Sequence, residues 1–180
     1  MKKQYTISVL TENKSGLLNG VTIIFTRRKI NIESINVSES EVDGVSRYTI
    51  VAEMEKDKAV HVVKQINKLV EVLGAFLYEE DAVYYQEIAL YKLPTKIFLN
   101  SNNIENLVRN HGARILVIEE DHIVIEKTGH RVEIRALFEL LKPYGVLEYV
   151  RSGRIAISKS KRETPAFIKE LEESNFENEV

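Results

Sequence analysis

The hydrophobic pattern of this chain occurs twice, and each copy predicts the same order of strands and helices. In residues 1–82, alternating apolar residues are typical of strands, and apolar residues spaced three and four apart are typical of helices. An apolar run at 75–78 predicts a fourth strand. The residues that carry the pattern are Tyr5, Ile7 and Val9; Leu17, Leu18, Val21, Ile24 and Phe25; Ile30, Ile32, Ile35 and Val37; Val45, Tyr48 and Ile50; and Val60, Val63, Ile66, Leu69 and Val70. The predicted order is βαββαβ.

The second copy occupies residues 83–160. A strand at 88–91 precedes a predicted helix, and two more strands flank the polar turn at 119–122. A second helix ends at the KPYG sequence of residues 142–145, before two short strands at 146–150 and 155–157. The repeat is one of pattern rather than identity, and it predicts an α+β protein with two ferredoxin-like βαββαβ sandwiches in tandem.

Residues 161–180 follow the second unit and are rich in charged side chains. Such a composition favours a charged tail over a packed element. We expect at most a short helix there, after Pro165.

Composition excludes several classes of function. The 180 residues contain 25 Lys and Arg against 27 Asp and Glu, giving a net charge of −2, and the two halves are similarly balanced. Neither half therefore has the basic surface that a nucleic-acid partner requires. No segment predicts a signal peptide or a membrane span, so no membrane partner is expected. The chain has no Cys, which excludes disulfides and thiolate metal sites and makes a cytoplasmic location the default expectation.

One loop suggests a binding site, because the strand at the N-terminus breaks into the sequence LTENKSGLLNG at residues 10–20. Gly16 allows a tight turn, and Asn13 and Ser15 are residues that cap helices. The first N–H groups of the helix that follows have no intrahelical acceptor and can bind a small anion such as a carboxylate. The alternative is that this loop only begins a helix, as many Asn and Ser residues do.

No pattern predicts catalysis or metal binding. The sequence lacks the P-loop, GxGxxG, HExxH and GxSxG motifs. The four His residues are not paired at metal-ligand spacing, and we expect them to be solvated or to cap helices. The acidic runs at 79–81 and 119–121 lie at predicted strand ends, where solvated charge is the usual explanation. We therefore expect no catalytic residue and no metal ligand in this chain.

Four stretches resemble the regulatory (small) subunit of acetolactate synthase, also called acetohydroxyacid synthase. They are SVLTENKSG at 8–16, NIES at 31–34, SRYTI at 46–50 and KLVEVL at 68–73. A weaker likeness continues through EIAL at 87–90 and TG at 128–129 to RSG at 151–153, so the resemblance covers about residues 4–160.

The resemblance implies that residues 1–82 form an ACT domain, and that 83–160 form the C-terminal domain of such a subunit. In this family two ACT domains pair and bind a branched-chain amino acid, usually valine, at their interface. Carried over by motif, one chain supplies Asn13, Ser15, Gly16, Leu17 and Leu18, and its partner supplies Asn31 and Ile32.

The chemistry of these residues suits an amino acid. An amide both donates and accepts, so Asn13 and Asn31 can bind an ammonium and a carboxylate. Leu17, Leu18 and Ile32 can line a pocket for an isopropyl group, whose burial contributes roughly 1.5 to 3 kcal/mol. The alternative for these three apolar residues is a place in the core.

The implied function is regulatory. The chain would bind a catalytic large subunit that carries thiamine diphosphate, Mg²⁺ and FAD, raise its activity and transmit feedback inhibition, with no cofactor of its own. Two other hypotheses remain. A free-standing ACT sensor would bind an amino acid and control transcription or another biosynthetic enzyme. A small phosphatase on the same scaffold would need an Arg in the loop, which contains only Lys14.

Overall fold

The structure is a computed structural model that describes the backbone of residues 1–96, 102–161 and 163–177, and the side chains of 1–96, 104–161 and 163–171. Part of the predicted tail, Arg162 and residues 178–180, lies outside the described residues. The described chain divides into two compact units. The first contains residues 1–84 and the chain from Arg154 onward, and the second contains Tyr85–Gly153.

The first unit has the predicted βαββαβ order. Its elements are β1 (Lys3–Glu12), α1 (Leu17–Arg27), β2 (Ile32–Glu39), β3 (Val45–Met54), α2 (Lys56–Ile66) and β4 (Val72–Tyr78). The strands form an antiparallel sheet in the order β2-β3-β1-β4, which places β1 and β3 at the centre and β2 at one edge.

Helices α1 and α2 cover one face of this sheet, which we call the inner face. Tyr5, Ile7 and Val9 of β1 are buried there beneath Val21 and Phe25 of α1. The same core includes Ala59, Val62 and Ile66 of α2. The sequence pattern had instead marked Val60 and Val70 for the buried side of this helix. Val60, inside α2, is only half-buried. Val70 is 93% exposed, because α2 ends at Ile66 and the chain turns before Val70.

The opposite, outer face of the sheet is covered by the end of the chain. Strand β9 (Ile155–Ser158) and helix α5 (Thr164–Glu177) both belong to this unit. Ile168 of α5 is buried with Leu10 and Val45, and Phe167 packs edge-on against Phe76 with ring centroids 5.4 Å apart. The charge-rich segment thus contains a 14-residue helix with an apolar side that packs on the sheet.

The second unit has the same topology. Its elements are β5 (Val83–Pro94), which begins in the first unit, α3 (Asn102–Asn110), β6 (Arg114–Ile118), β7 (His122–Gly129), α4 (Arg131–Leu141) and β8 (Glu148–Arg151). The strand order β6-β7-β5-β8 matches that of the first unit. The predicted fold class, two ferredoxin-like α+β sandwiches in tandem, is confirmed.

The grouping of residues 154–160 differs from the sequence-based boundaries, which assigned 83–160 to the second domain and 161–180 to a tail. Arg154 is buried and donates hydrogen bonds to Gln4 and Thr6 of β1. The N–H of Lys159 donates to the carbonyl of Ala82 at 3.0 Å. These long-range bonds hold the segment in the first unit, and local hydrophobic spacing carries no information about them.

In the described part of the chain, no helix has the length and apolar character needed to cross a membrane.

Candidate functional site

The loop between β1 and α1 has the geometry of an exposed helix N-terminus. Gly16 precedes the helix in a left-handed conformation, with φ 87° and ψ −15°. The first N–H groups that bond within the turn are those of Asn19 and Gly20, both to the carbonyl of Gly16, at 3.1 and 3.2 Å. The preceding N–H groups of Leu17 and Leu18 therefore have no intrahelical acceptor and are suited to an anionic group.

The prediction that Asn13 and Ser15 cap α1 is wrong. Gly16 is the N-cap residue, and no side chain caps this end of the helix. The physical reason is the left-handed turn at Gly16, which starts the helix from the Gly16 carbonyl. The first turn is consequently left without a side-chain oxygen bonded to its N–H groups, which preserves its capacity for an external anion.

Backbone hydrogen bonds hold the loop on both sides. Glu12 N–H donates to the carbonyl of Glu71 at 3.0 Å, and Asn13 N–H donates to the carbonyl of Gly44 at 2.8 Å. The exposed Asn13 side chain approaches Glu39, with Nδ2 3.5 Å from Oε1. The loop is therefore anchored to the turn before β3, and its amide lies next to the end of β2.

The charges of the loop are largely paired. Lys14 forms an exposed ion pair with Glu12, and the hydrogen bond to that carboxylate raises the pKa of the Lys14 ammonium. Nearby, the pKa of the Glu41 carboxyl is lowered, first by a backbone hydrogen bond and then by the Thr164 hydroxyl and Arg47. We therefore expect the N–H groups at the start of α1, and not the Lys14 ammonium, to attract an anion to this loop.

The two leucines of the predicted site have different environments. Leu17 is buried, whereas Leu18 is 42% exposed. Consecutive residues on a helix point about 100° apart, so one can face the core while the next faces out. Leu18 is therefore able to contact a ligand, and Leu17 belongs to the support of the loop.

Asn31 and Ile32 lie at the other end of the sheet. Ile32 pairs with Ala52, which pairs with Tyr5, whereas the loop follows the pairing of Glu12 with Val45. Ala52 is seven positions from Val45 along β3, or about 23 Å at the rise of a strand. Asn31 is exposed, and Ile32 is half-buried against the first core. Within one chain, the structure brings Asn13, Ser15, Gly16, Leu17 and Leu18 together but keeps Asn31 and Ile32 apart from them.

Sequence reasoning missed Glu39 and Gly44 as neighbours of Asn13. Glu39 is 26 residues from Asn13 in the chain and reaches it only through the pairing of β2 with β3 and of β3 with β1. Predicting that Glu39 lies near Asn13 requires the register of strand pairing, and the hydrophobic pattern of a single sequence does not fix that register.

The His residues serve local structure. His61 Nδ1 lies 2.7 Å from the carbonyl of Asp57, and His111 Nδ1 lies 2.9 Å from that of Leu107. His122 pairs with Asp121, and the backbone N–H of His130 donates to the Glu133 carboxylate at 2.7 Å at the start of α4. Among the described residues, no group of three or more His, Asp or Glu side chains is placed to hold a metal ion.

Comparison with known proteins identifies the family to which these units belong. Residues 7–74 match the "AHAS small subunit-like ACT domain", and residues 86–160 match the "Small subunit of acetolactate synthase". The acetolactate synthase small subunit of Bacillus subtilis is 36% identical over 91% of this chain and 94% of its own length. The chain belongs to the acetolactate synthase small-subunit family.

Other members of the family extend the comparison. The probable acetolactate synthase small subunit of Archaeoglobus fulgidus is 35% identical over 88% of this chain and 99% of its own. The crystal structure of the Thermotoga maritima acetolactate synthase small subunit superimposes with a TM-score of 0.80 at 30% identity, covering 89% of this chain and 99% of that one. The resemblance stated from the four sequence stretches is therefore confirmed.

The matched ranges can be compared with the positions of the predicted site residues and of the C-terminal segment. All seven predicted effector-binding residues lie within the ACT-domain match at 7–74. Arg154 lies within the second match, at 86–160, although it packs on the first unit. Helix α5 begins at Thr164, beyond both matched segments.

Proposed function

We propose that this chain is the regulatory subunit of an acetolactate synthase in branched-chain amino acid biosynthesis. It binds the catalytic large subunit, raises its activity, and carries feedback inhibition by a branched-chain amino acid, in the first instance valine. The observation that carries this proposal is the likeness to acetolactate synthase small subunits over about nine-tenths of both chains.

The β1–α1 loop is the proposed effector site. The free N–H groups of Leu17 and Leu18 donate hydrogen bonds to the carboxylate of the amino acid, and the left-handed turn at Gly16 exposes them. The Asn13 amide and the neighbouring Glu39 carboxylate provide acceptors for the ammonium. Leu18 offers an apolar surface to the aliphatic side chain. Ser15 lies exposed in the same loop, within reach of solvent and ligand.

A second copy of the chain completes the site. Strand β2 is at the sheet edge, where its outer N–H and C=O groups can pair with another strand. Antiparallel pairing of two β2 strands about their midpoints would set residues near Asn31 and Ile32 opposite the partner's Glu39. Because Glu39 approaches Asn13 within a chain, this homodimer would bring Asn31 and Ile32 of one copy to the loop of the other.

The chain contributes regulation and no chemistry of its own. The proposed catalytic partner holds thiamine diphosphate, Mg²⁺ and FAD, and this chain holds no cofactor. A cytoplasmic location is proposed with the same partner. Control then consists of a coupling free energy between effector and large subunit, typically 1 to 3 kcal/mol.

A calorimetric titration with L-valine, compared between the wild type and Asn13→Ala, tests the effector site. Asn110→Ala, at the end of α3, is the matched control because it removes an exposed amide from the second unit. The proposal expects binding by the wild type and the control, and a loss of affinity of about tenfold or more in Asn13→Ala. Equal affinity in all three proteins would reject the loop as the site.

The alternative is a free-standing ACT sensor that controls transcription or another biosynthetic enzyme. Both hypotheses expect amino-acid binding, but only the regulatory subunit associates with an acetolactate synthase large subunit. Co-purification of the two chains and activation of acetolactate formation would support the proposal. Valine binding without any association would favour the sensor.

A further inference from the structure

Arg154 is a buried charged residue that holds the end of the chain to the first sheet. Its side chain is on the outer face, and the residue is 3% exposed. Nη1 donates to Oγ1 of Thr6 at 2.9 Å, and Nη2 donates to Oε1 of Gln4 at 2.8 Å. Buried charges are retained only where hydrogen bonds replace the lost hydration, so this attachment is specific in position.

Gln4 extends the connection to β2. Its amide nitrogen Nε2 donates to Oε2 of Glu33 at 2.9 Å, while its Oε1 accepts from Arg154. The Gln4 amide therefore acts both as a donor and as an acceptor, and its orientation is fixed by the Arg154 cation on one side and the Glu33 carboxylate on the other. Rotation of the amide would break both bonds at once.

Glu33 lies beside the part of the proposed effector site that is contributed in trans. The pairing of β2 with β3 shifts between Ile32 and Ser34, so Glu33 is the extra residue of a bulge. A bulge redirects a side chain and bends the strand locally. Glu33 also directly follows Asn31 and Ile32 in the chain. A ligand that moves Asn31 or Ile32 must act on this bulge.

Arg154 is joined to the second unit by the peptide bond that follows Gly153. Gly153 is the last residue of that unit, and Arg154 is the next residue. Arg154 is therefore held at the point where the chain leaves the second unit.

From these contacts we infer that Glu33, Gln4 and Arg154 form a relay that couples effector binding at Asn31 and Ile32 to the second unit. They are positioning residues, which act through the bulge in β2. This inference rests on the proposed regulatory function and names the residues that transmit the control.

The test removes the middle of the relay. Gln4→Met keeps the length of a half-buried side chain but deletes both hydrogen bonds, leaving Arg154 bonded to Thr6. Gln4→Glu keeps an acceptor for Arg154 and removes the donor to Glu33. Gln65→Met, on the exposed side of α2, is the matched control. Each full-length variant is compared with the wild type, alone and in complex with the large subunit.

The coupling is the ratio of L-valine dissociation constants measured by calorimetry with and without the large subunit. Linkage requires that the same ratio describe the effect of valine on the association of the subunits. We expect both Gln4 variants to bind valine as free chains within about threefold of the wild type, and to lose about fivefold or more of the coupling ratio. Gln65→Met should retain it.

The other outcomes distinguish a failure of the relay from a failure of the proposed regulatory function. If Gln4→Met binds valine and keeps the wild-type ratio, the relay is wrong and the regulatory function stands. If Gln4→Glu alone keeps the ratio, the link to Glu33 is not required, and the relay is likewise overturned. If the wild-type chain does not bind valine, the proposed effector fails first, and the relay inferred from it fails too.

Discussion

Nη2 of Arg47 donates a hydrogen bond to Oγ1 of Thr164 at 2.9 Å, joining β3 to the first residue of α5. The same Nη2 lies 3.1 Å from each carboxylate oxygen of Glu41. Glu41 belongs to the connection between β2 and β3, whose Gly44 carbonyl accepts the N–H of Asn13. The C-terminal helix is thus bonded to the connection that supports the proposed effector loop.

The substitution Thr164→Val should raise the pKa of Glu41 toward its ordinary value of 4.5. The hydroxyl is one of the groups that stabilise the carboxylate, after the backbone hydrogen bond. A lowered pKa in the folded state contributes stability above the unfolded pKa, and this contribution is lost as the pH falls through the folded pKa. The variant should therefore lose less stability between neutral and acidic pH.

Carboxyl-carbon NMR titration of Glu41 measures this effect directly. Thr95→Val, which removes a hydroxyl bonded to the carbonyl of Glu119, is the control and should leave Glu41 unchanged. An identical Glu41 titration in wild type and Thr164→Val would show that the helix does not act on this carboxyl.

Gly16→Ala should destabilise the first unit by about 1 kcal/mol, because an L-residue is strained at the left-handed φ of 87°. An added Cβ would meet no atom within 4 Å, so the effect is conformational and not steric. Relaxation of the turn should also lower L-valine affinity. Urea denaturation and calorimetry measure the two effects.

Gly20→Ala provides the matched comparison four residues later. This position is inside α1, and its added Cβ would make ordinary contact with Leu69 at 3.9 Å. Helix propensity then favours alanine by about 0.8 to 1 kcal/mol. Opposite signs for the two alanine variants are expected; equal destabilisation would contradict the role assigned to Gly16.

Gly74→Ala should disturb the packing of α5 on the outer face. Its Cβ would lie 2.9 Å from Cζ of Phe76, closer than real contacts allow, and 3.0 Å from Cε1 of Phe167, tighter than most real contacts. Overpacking of this kind typically costs about 1 to 3 kcal/mol. Increased proteolysis after Lys161, together with a lower urea midpoint, would report displacement of the helix.

A double-mutant cycle with Phe167→Ala isolates the cause. Removing the ring eliminates the contact with Phe167 and leaves space for the Phe76 ring to move away from the new methyl group, so the double variant should be more stable than the sum of the single effects indicates. Additive losses would place the strain of Gly74→Ala elsewhere in β4.

Arg151→Met should destabilise the second unit by about 3 kcal/mol. Arg151 forms an ion pair with Glu87, whose side chain is 3% exposed, so the substitution leaves a buried carboxylate without this cation. Amide hydrogen exchange in β5 and β8 measures the local loss. Adding Glu87→Gln removes the buried charge and should restore part of the stability; no recovery would argue against the ion pair as the cause.

Some features of the site were accessible from sequence and others were not. The loop at residues 10–20 was identified because Asn13, Ser15 and Gly16 interrupt a clear strand pattern before a clear helix pattern. The capping role of Asn13 and Ser15 was wrong, because the backbone angle at Gly16 determines how the helix begins. The loop that contains this turn is bonded to Gly44 and Glu71, two residues remote in sequence.

The burial of the outer face of the first sheet was also not predictable from the sequence. In β1, Thr6 and Ser8 alternate with the core residues, a pattern that predicts a solvent-facing side of the strand, yet Thr6 is 1% exposed. The C-terminal segment buries that side by means of Arg154 and the apolar residues Phe167 and Ile168. These contacts join residues more than ninety positions apart, which no local pattern encodes.

The two βαββαβ units and the family could be predicted from the amino-acid sequence, because hydrophobic periodicity and short motifs are local properties of the chain. Only the tertiary structure decided that Asn31 and Ile32 lie at the opposite end of the sheet from Asn13, and that the chain returns to the first unit at Arg154. Strand register and long-range burial set these relationships, and both arise from the packing of segments that are distant in the sequence.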